Sequence, residues 1–211
     1  MNVQTAKIIA RLTEEYSTPR TTLQFTSPLE LLIATILSAQ CTDERVNRVT
    51  PLLFQKYRTP EDYAHTDLTA LELIIRPTGY YRRKAKLIQG CCQKLVSDFK
   101  SCVPQTMEEL LTLPGVARKT ANIVLSNAFG IVVGIAVDTH VKRLSQRLGF
   151  TINKNPDKIE KDLMTIIPRR TWGAITYLLI EHGRNVCKAR RPLCEKCVLG
   201  KTLCLSYNLG S

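Results

Sequence analysis

The sequence predicts an all-α protein. Apolar residues recur at helical spacing along nearly the whole chain of 211 residues, and capped helix starts punctuate that pattern. The one segment typical of a strand is Ile131–Val137, a β-branched run interrupted by a glycine. A single short apolar run does not make a sheet, so we expect it to be a buried extended connector that delivers Asp138 to the next helix.

Helix starts are the clearest local signals. The segment Ser27–Glu30 has the spacing of a capping box ahead of a densely apolar run, Thr106–Glu109 repeats that spacing, and Asn155-Pro156 marks a third start. Periodicity predicts further helices over about 3–15, 43–57, 67–76, 82–99, 118–129, 139–148 and 171–184.

The charge balance indicates a polyanionic partner. Thirty Lys and Arg against 18 Asp and Glu leave a net charge of +12, which points first to nucleic acid and second to an anionic membrane surface. No run of about 18 residues is apolar throughout, so no membrane span is expected. The N-terminus lacks the layout of a signal peptide, which predicts a cytoplasmic protein in a reducing compartment.

Residues 113–120 read Leu-Pro-Gly-Val-Ala-Arg-Lys-Thr and lie between two predicted helices. Gly115 permits a turn whose backbone amides point outward, and the positive end of the next helix adds to such a phosphate-binding nest. The alternative is an ordinary turn followed by a solvated basic first turn, because cations are unfavourable at a helix N-terminus. Lys119 is either a nucleophilic amine suited to Schiff-base chemistry or a point-charge contact to phosphate.

Asp138 stands immediately before a predicted helix whose apolar residues begin at Val141. The commonest role of an aspartate in this position is N-capping. Capping is compatible with catalysis, since a fixed carboxylate near an amine could accept its proton or stabilise positive charge developing on a sugar ring.

Four of the eight cysteines crowd together near the C-terminus. Four thiolates meet the ligand count of a tetrahedral zinc or of a four-iron cluster. Structural zinc sites usually pair two short Cys-x2–4-Cys knuckles, and only one is present here, so the spacing favours the cluster. The other interpretation is a basic tail with unpaired thiols. The candidate ligands are Cys187, Cys194, Cys197 and Cys204, and the first interval carries the cations Lys188, Arg190 and Arg191, which could contact a nucleic-acid backbone.

Two weaker signals concern base recognition. Gln40 ends an apolar helix and could probe a base, and Tyr80 or Tyr81, beside basic residues, could stack or wedge next to it. Glutamine at a helix end and tyrosine beside arginine are commonplace, so these signals alone favour no function.

Taken together, these segments resemble the endonuclease III family of base-excision DNA glycosylases, in the helix-hairpin-helix superfamily. The resemblance runs from about residue 27 to residue 204. The segments that carry it are Leu-Pro-Gly-Val-Ala-Arg-Lys-Thr-Ala-Asn at 113–122, Val-Asp-Thr-His at 137–140, His-Gly-Arg at 182–184, the four cysteines and Leu-Ser-Ala-Gln-x-Thr-Asp at 37–43.

The resemblance implies a fold of two helical domains that flank an active-site cleft. A six-helix domain with the helix-hairpin-helix motif is expected over residues 21–133. Residues 1–20 and 134–211 are expected to form a discontinuous iron–sulfur cluster domain.

The resemblance also assigns roles to single residues. Lys119 matches the Schiff-base nucleophile, and Asp138 matches the essential carboxylate. The four cysteines match the ligands of a [4Fe-4S] cluster, and Gln40 matches the residue that fills the gap left by an everted base. Further DNA contacts are expected at Tyr80, Gly115, Val116, Ala117, Arg118, Arg184, Lys188, Arg190 and Arg191.

The chain departs from the family pattern in places. Ala117 stands where glycine is common, which is costly only if that position needs a positive φ. Tyr80 stands where an aliphatic wedge is often found, which bears on opposite-base contacts. The last cysteine interval and the interval from Lys119 to Asp138 are each one residue longer than usual, in segments expected to be loops.

The activity implied is that of a bifunctional DNA glycosylase and AP lyase for oxidised pyrimidines in base excision repair. The expected partner is double-stranded DNA with damaged bases or abasic sites, bound by a nucleoid-associated monomer without membrane attachment. One alternative is a monofunctional mismatch glycosylase, which Lys119 disfavours. The other is a non-catalytic DNA-binding module with a structural zinc, which Asp138 and the cysteine spacing disfavour.

Overall fold

The structure, a computed structural model, describes residues 3–17 and 20–207, and within these ranges it contains helices and no strand. The all-α prediction is therefore confirmed. None of the described helices has the length and apolar content needed to cross a membrane. The helices are α1 (Val3–Glu15), α2 (Pro28–Leu37), α3 (Asp43–Lys56), α4 (Pro60–Ala64), α5 (Leu68–Ile75), α6 (Tyr81–Asp98), α7 (Met107–Leu110), α8 (Arg118–Ala128), α9 (Thr139–Arg147), α10 (Pro156–Ile166), α11 (Trp172–Asn185) and α12 (Gly200–Leu203).

Side chains cap the starts of several helices, among them α2 and α10, whose sequences predict a cap. At α2, Ser27 Oγ accepts a hydrogen bond from the Glu30 N–H at 3.2 Å. The Glu30 carboxylate reaches back to the Thr26 N–H, one residue earlier than in a reciprocal capping box. Asn155 caps α10 in the same manner. These caps satisfy backbone donors that have no partner within the helix.

The chain divides into two compact units, of which one is Thr22–Val133. Its core is built around α2, which packs against α3, α6 and α8. Every side chain of α2 from Leu31 to Leu37 is buried, so this helix is enclosed on all sides. Leu32 and Ile88, on α2 and α6, are both fully buried.

The other unit joins the N-terminal segment to Thr21 with the chain from Gly134 onward. Its core gathers apolar side chains of α1, α9, α10 and α11. The predicted connector is not a strand, and its residues from Gly134 to Val137 are buried. Thr176 Oγ1 of α11 donates to the Ala136 carbonyl at 3.1 Å, which ties the connector to this unit.

Helices α9 and α11 approach each other closely at Gly183. A Cβ atom at this position would lie 2.7 Å from His140 Nδ1 and 3.0 Å from Arg143 Nη2. Close packing against α9 therefore explains the glycine of the His-Gly-Arg segment, because only a residue without a side chain fits there.

The enclosed position of α2 predicts an asymmetry between two leucine truncations. Leu32→Ala opens a cavity in the core and should lower the free energy of unfolding by about 2–5 kcal/mol. Leu73→Ala, at a side chain that is 71% exposed, should stay within about 0.5 kcal/mol of the parent protein. Urea unfolding followed by circular dichroism measures both, and equal losses would contradict this assignment of the core.

Candidate functional site

A cavity opens in the Thr22–Val133 unit where three chain segments meet. It lies beside the end of α2, the start of α6 and the turn that precedes α8. Five residues singled out in the sequence line this one cavity, although they come from three separate motifs. They are Gln40, Tyr80, Gly115, Val116 and Ala117.

The turn before α8 depends on one glycine. Gly115 has φ +82°, and a Cβ there would stand 3.2 Å from the Leu87 Cβ. Val116 is buried, and its N–H donates to the Leu113 carbonyl at 3.1 Å, which closes the turn. Ala117 has φ −100°, a conformation open to any residue, so alanine in place of glycine costs nothing here.

The two helices that start at this cavity lack side-chain caps. At α6, which follows Tyr80, and at α8, which follows Ala117, no N-cap side chain accepts a hydrogen bond from the backbone N–H groups, and neither first turn contains an acidic residue. Their first turns instead carry cations, among them Arg118 and Lys119 in α8. Backbone N–H donors, the positive helix ends and these cations together suit an anion. Lys119 is exposed, and the next residue, Thr120, lines the cavity.

Gln40 and Tyr80 share an unusual backbone conformation. Their φ angles are +53° and +48°, in the left-handed region that residues with a Cβ rarely adopt. Both side chains are exposed, and Tyr80 is 67% exposed. Left-handed backbone at two positions on one cavity is typical of a site whose geometry is held by its surroundings.

Lys84 also lines this cavity, and sequence reasoning did not identify it. Its side chain is only 3% exposed, and its Nζ donates to the carbonyls of Leu37 and Thr78, each at 2.8 Å. Burial lowers the pKa of the Lys84 ammonium. A signal was present in the sequence, because Lys84 lies on the buried stripe of α6 that continues through Ile88 and Leu95.

In the other unit, Asp138 is the N-cap of α9. Its Oδ1 accepts from the Val141 N–H at 2.8 Å, so the capping role is present. The carboxylate is half-buried. A carboxylate has two oxygen atoms, so this cap leaves capacity for a second interaction.

All four C-terminal cysteines line a single cavity in this unit, and none of them forms a disulfide. Arg147 of α9 donates to the Cys187 sulfur at 3.2 Å and to the Lys188 carbonyl at 2.8 Å. Within the described ranges, no three His, Cys, Asp or Glu side chains converge on a point where one metal ion could sit. The four cysteines therefore line one cavity, but their side chains are not arranged as the ligands of a single metal ion.

His182 connects this cysteine cavity to the N-terminal segment. Its Nε2 lies 3.4 Å from the Cys197 sulfur, and its Nδ1 lies 3.1 Å from the Tyr16 hydroxyl. The ring is 2% exposed, and burial lowers the pKa of His182 to about 4. Burial also raises the pKa of the Cys197 and Cys204 thiols. The His-Gly-Arg segment thus supplies a neutral imidazole to the cysteine cavity.

The remaining predicted cations lie on the surface. Lys188, Arg190 and Arg191, between the first two cysteines, are exposed. Arg184, at the end of α11, is exposed and forms an ion pair with Glu181 at 3.6 Å. Exposed cations on a loop suit contact with a phosphate backbone rather than recognition of a base.

Comparison with known proteins agrees with these features. Residues 33–169 match the model of the HhH-GPD superfamily base excision DNA repair proteins. The endonuclease III of Synechocystis is 55% identical over 193 residues, which cover 92% of this chain and 88% of that protein. The endonuclease III of Bacillus subtilis is 49% identical over 84% of this chain and 81% of its own. The chain belongs to the endonuclease III family.

Solved structures place the endonuclease III fold on nearly the full chain. An endonuclease III solved in a non-covalent complex with DNA superposes with a TM-score of 0.89 at 45% identity, covering 97% of this chain and 96% of that one. An endonuclease III trapped as a covalent intermediate with DNA matches equally well, with a TM-score of 0.89. A thermostable thymine-DNA glycosylase shares the fold at 24% identity, with a TM-score of 0.86.

Proposed function

We propose that this endonuclease III family protein removes oxidised pyrimidines from duplex DNA and then cleaves the strand at the resulting abasic site. The observation that carries the proposal is the position of Lys119, an exposed amine in the first turn of α8, directly after the Gly115 turn. A relative at 45% identity has been trapped covalently with DNA, and a covalent adduct requires a nucleophile. Lys119 matches the family's Schiff-base lysine.

In this reaction the neutral amine of Lys119 attacks C1′ of the damaged nucleotide. The bond between C1′ and the base breaks, and its electron pair leaves with the base. The amine then loses a proton, and the sugar opens as the C1′–O4′ bond breaks and O4′ gains a proton, which gives a Schiff base. This cation acidifies C2′, so loss of a C2′ proton expels the 3′ phosphate by β-elimination. The product is a nicked strand.

Asp138 is proposed to support this chemistry as a carboxylate. It accepts the amine proton or stabilises positive charge that develops on the sugar as the base departs. Its hydrogen bond to the Val141 N–H fixes the carboxylate at the start of α9. A group held in place before reaction stabilises developing charge without the cost of reorganisation.

We propose that the cavity of the Thr22–Val133 unit binds the DNA backbone next to the extruded nucleotide. The amides of the turn Gly115–Ala117, the uncapped start of α8 and Arg118 suit a phosphate. Gln40 and Tyr80, which line the same cavity, are proposed to fill the gap in the base stack and to contact the opposite strand. The exposed cations Arg184, Lys188, Arg190 and Arg191 extend the contacts to the backbone.

A [4Fe-4S] cluster is proposed as the resident cofactor, held by Cys187, Cys194, Cys197 and Cys204. An all-sulfur donor set that lines one cavity fits this group. The guanidinium of Arg147 donates to the Cys187 sulfur at 3.2 Å and so places a positive charge beside the donor set. When bound, the cluster would supply covalent links that hold the Lys188–Arg191 loop in shape.

The lyase assignment predicts a covalent adduct that depends on one lysine. Borohydride should trap the parent protein on a labelled duplex that contains one thymine glycol, and Lys119→Gln should give no adduct. Lys158→Gln is the matched control, since Lys158 is also exposed and also lies in the first turn of a helix. Base release by Lys119→Gln without trapping would favour the monofunctional alternative, and trapping by Lys119→Gln would contradict the assignment of the nucleophile.

The two roles of Asp138 can be separated by one substitution. Asparagine caps helices as well as aspartate does, so Asp138→Asn should leave the melting temperature nearly unchanged. Loss of the charge should slow base release by about 10²–10⁴-fold, the usual contribution of a general acid or base. Asp67→Asn, which changes the N-cap of α5 in the same way, should alter neither quantity. Single-turnover rates and thermal melts measure both effects, and full activity of Asp138→Asn would remove it from the mechanism.

The cofactor proposal predicts that single cysteines differ in their effect on bound metal. Cys204→Ser removes one proposed ligand and should abolish the visible absorbance and the stoichiometric iron of the purified protein. Cys102→Ser, at an exposed thiol, should retain both. Metal analysis that finds zinc in place of iron would support a structural zinc instead, and a colourless, metal-free parent protein that binds and cleaves DNA would refute any resident cluster.

A further inference from the structure

We propose that Lys84 is a positioning residue that holds Gln40 and Tyr80 in register with each other. The inference rests on the proposed function, because its effect is read out on DNA. Lys84 is a buried lysine whose ammonium joins two segments of backbone.

The Lys84 ammonium bridges the two segments that lead to these residues. Its Nζ donates to the Leu37 carbonyl and to the Thr78 carbonyl, each at 2.8 Å. Leu37 is the last residue of α2, so its carbonyl has no partner further along that helix. Gln40 follows three residues after Leu37, and Tyr80 follows two residues after Thr78. One cation therefore fixes both segments just before each probing residue.

Both probing residues need such support. Gln40 and Tyr80 have left-handed backbone, with φ +53° and +48°, although each carries a side chain. This conformation is unfavourable for residues with a Cβ and persists where the surroundings over-determine it. No side chain caps α6 at Tyr80. The hydrogen bond from Lys84 to Thr78 lies two residues away and supplies an anchor that the helix start lacks.

Stability alone does not account for a lysine at this position. The side chain is 3% exposed, and it forms no ion pair with any residue that the structure describes. A buried charge without a counter-charge is costly, and an apolar residue of similar length would avoid that cost. The neighbouring buried positions of α6, Ile88 and Leu95, are apolar. The ammonium of Lys84 lies where it joins the two segments, through the carbonyls of Leu37 and Thr78.

A positioning role predicts a loss that depends on the opposite strand. Gln40 and Tyr80 have a gap to fill and a strand to contact only in a duplex. Lys84→Met, which keeps the length of the side chain, should slow cleavage of a duplex with one abasic site by about 10- to 100-fold, the usual effect of a small misplacement. Cleavage of the same labelled strand in single-stranded form should be unchanged. Lys84→Arg should recover part of the duplex rate, and Lys86→Met, at an exposed lysine of the same helix, should match the parent on both substrates.

A double-mutant cycle tests whether Lys84 acts through the probing residues. In a background of Gln40→Ala and Tyr80→Ala, Lys84→Met should cause little further loss on the duplex, because the groups that it positions are absent. A full additional loss in that background would overturn the proposal, as would equal slowing on duplex and single strand. If Lys84→Met loses its helical circular dichroism, Lys84→Arg carries the comparison, with duplex-selective slowing expected and uniform slowing contradicting it.

The same two substrates separate this inference from the proposed function. A parent protein that cleaves neither substrate would refute the lyase assignment. A parent protein that cleaves both, beside a Lys84→Met variant that cleaves both at the parental rates, would refute the role of Lys84 and leave the lyase assignment intact.

Discussion

Helix ends leave backbone groups that need partners, and this constraint organises the molecule. At several helices a side chain supplies the partner, as Thr42, Asp67 and Asn155 do for α3, α5 and α10. At the cavity of the Thr22–Val133 unit the caps are missing, and the first turns of α6 and α8 carry cations in place of carboxylates. Helix starts of this kind suit an anion that is supplied by a bound molecule. The net charge of +12 attracts a polyanion to the protein.

The cavity concentrates features that cost stability. Two uncapped helix starts, two residues with left-handed backbone and one buried ammonium lie within a few side chains of one another. Natural proteins break local rules at functional positions and recover the free energy elsewhere. Helix α2, whose side chains from Leu31 to Leu37 are buried, adjoins the cavity and packs against α3, α6 and α8. The rigid helix that stabilises the unit is therefore also the support for Gln40.

The helices could be predicted from the sequence, whereas contacts between residues far apart in the chain could not. The helices with an apolar period and a capping residue were predicted to within a few residues, because both signals lie in consecutive residues. The short helix α4 was missed, although Thr59 and Asp62 form a reciprocal capping box, since five residues are too few to show a helical period. The roles of Lys84 and His182 were also missed. Lys84 is bound to Leu37, 47 residues away, and His182 to Tyr16, 166 residues away, and no pattern in a single sequence encodes such pairs.

The two departures from the family pattern in this unit have different physical meanings. Ala117 changes nothing, because its φ of −100° is open to any residue, and the turn depends on Gly115 alone. At Tyr80, by contrast, the residue has a left-handed backbone with φ +48° and an exposed side chain. Its backbone is set by the hydrogen bond of Lys84 to Thr78 and by Gly79 at φ +71°. Under the proposed function, an aromatic ring in place of an aliphatic wedge would change the contacts made to the opposite strand.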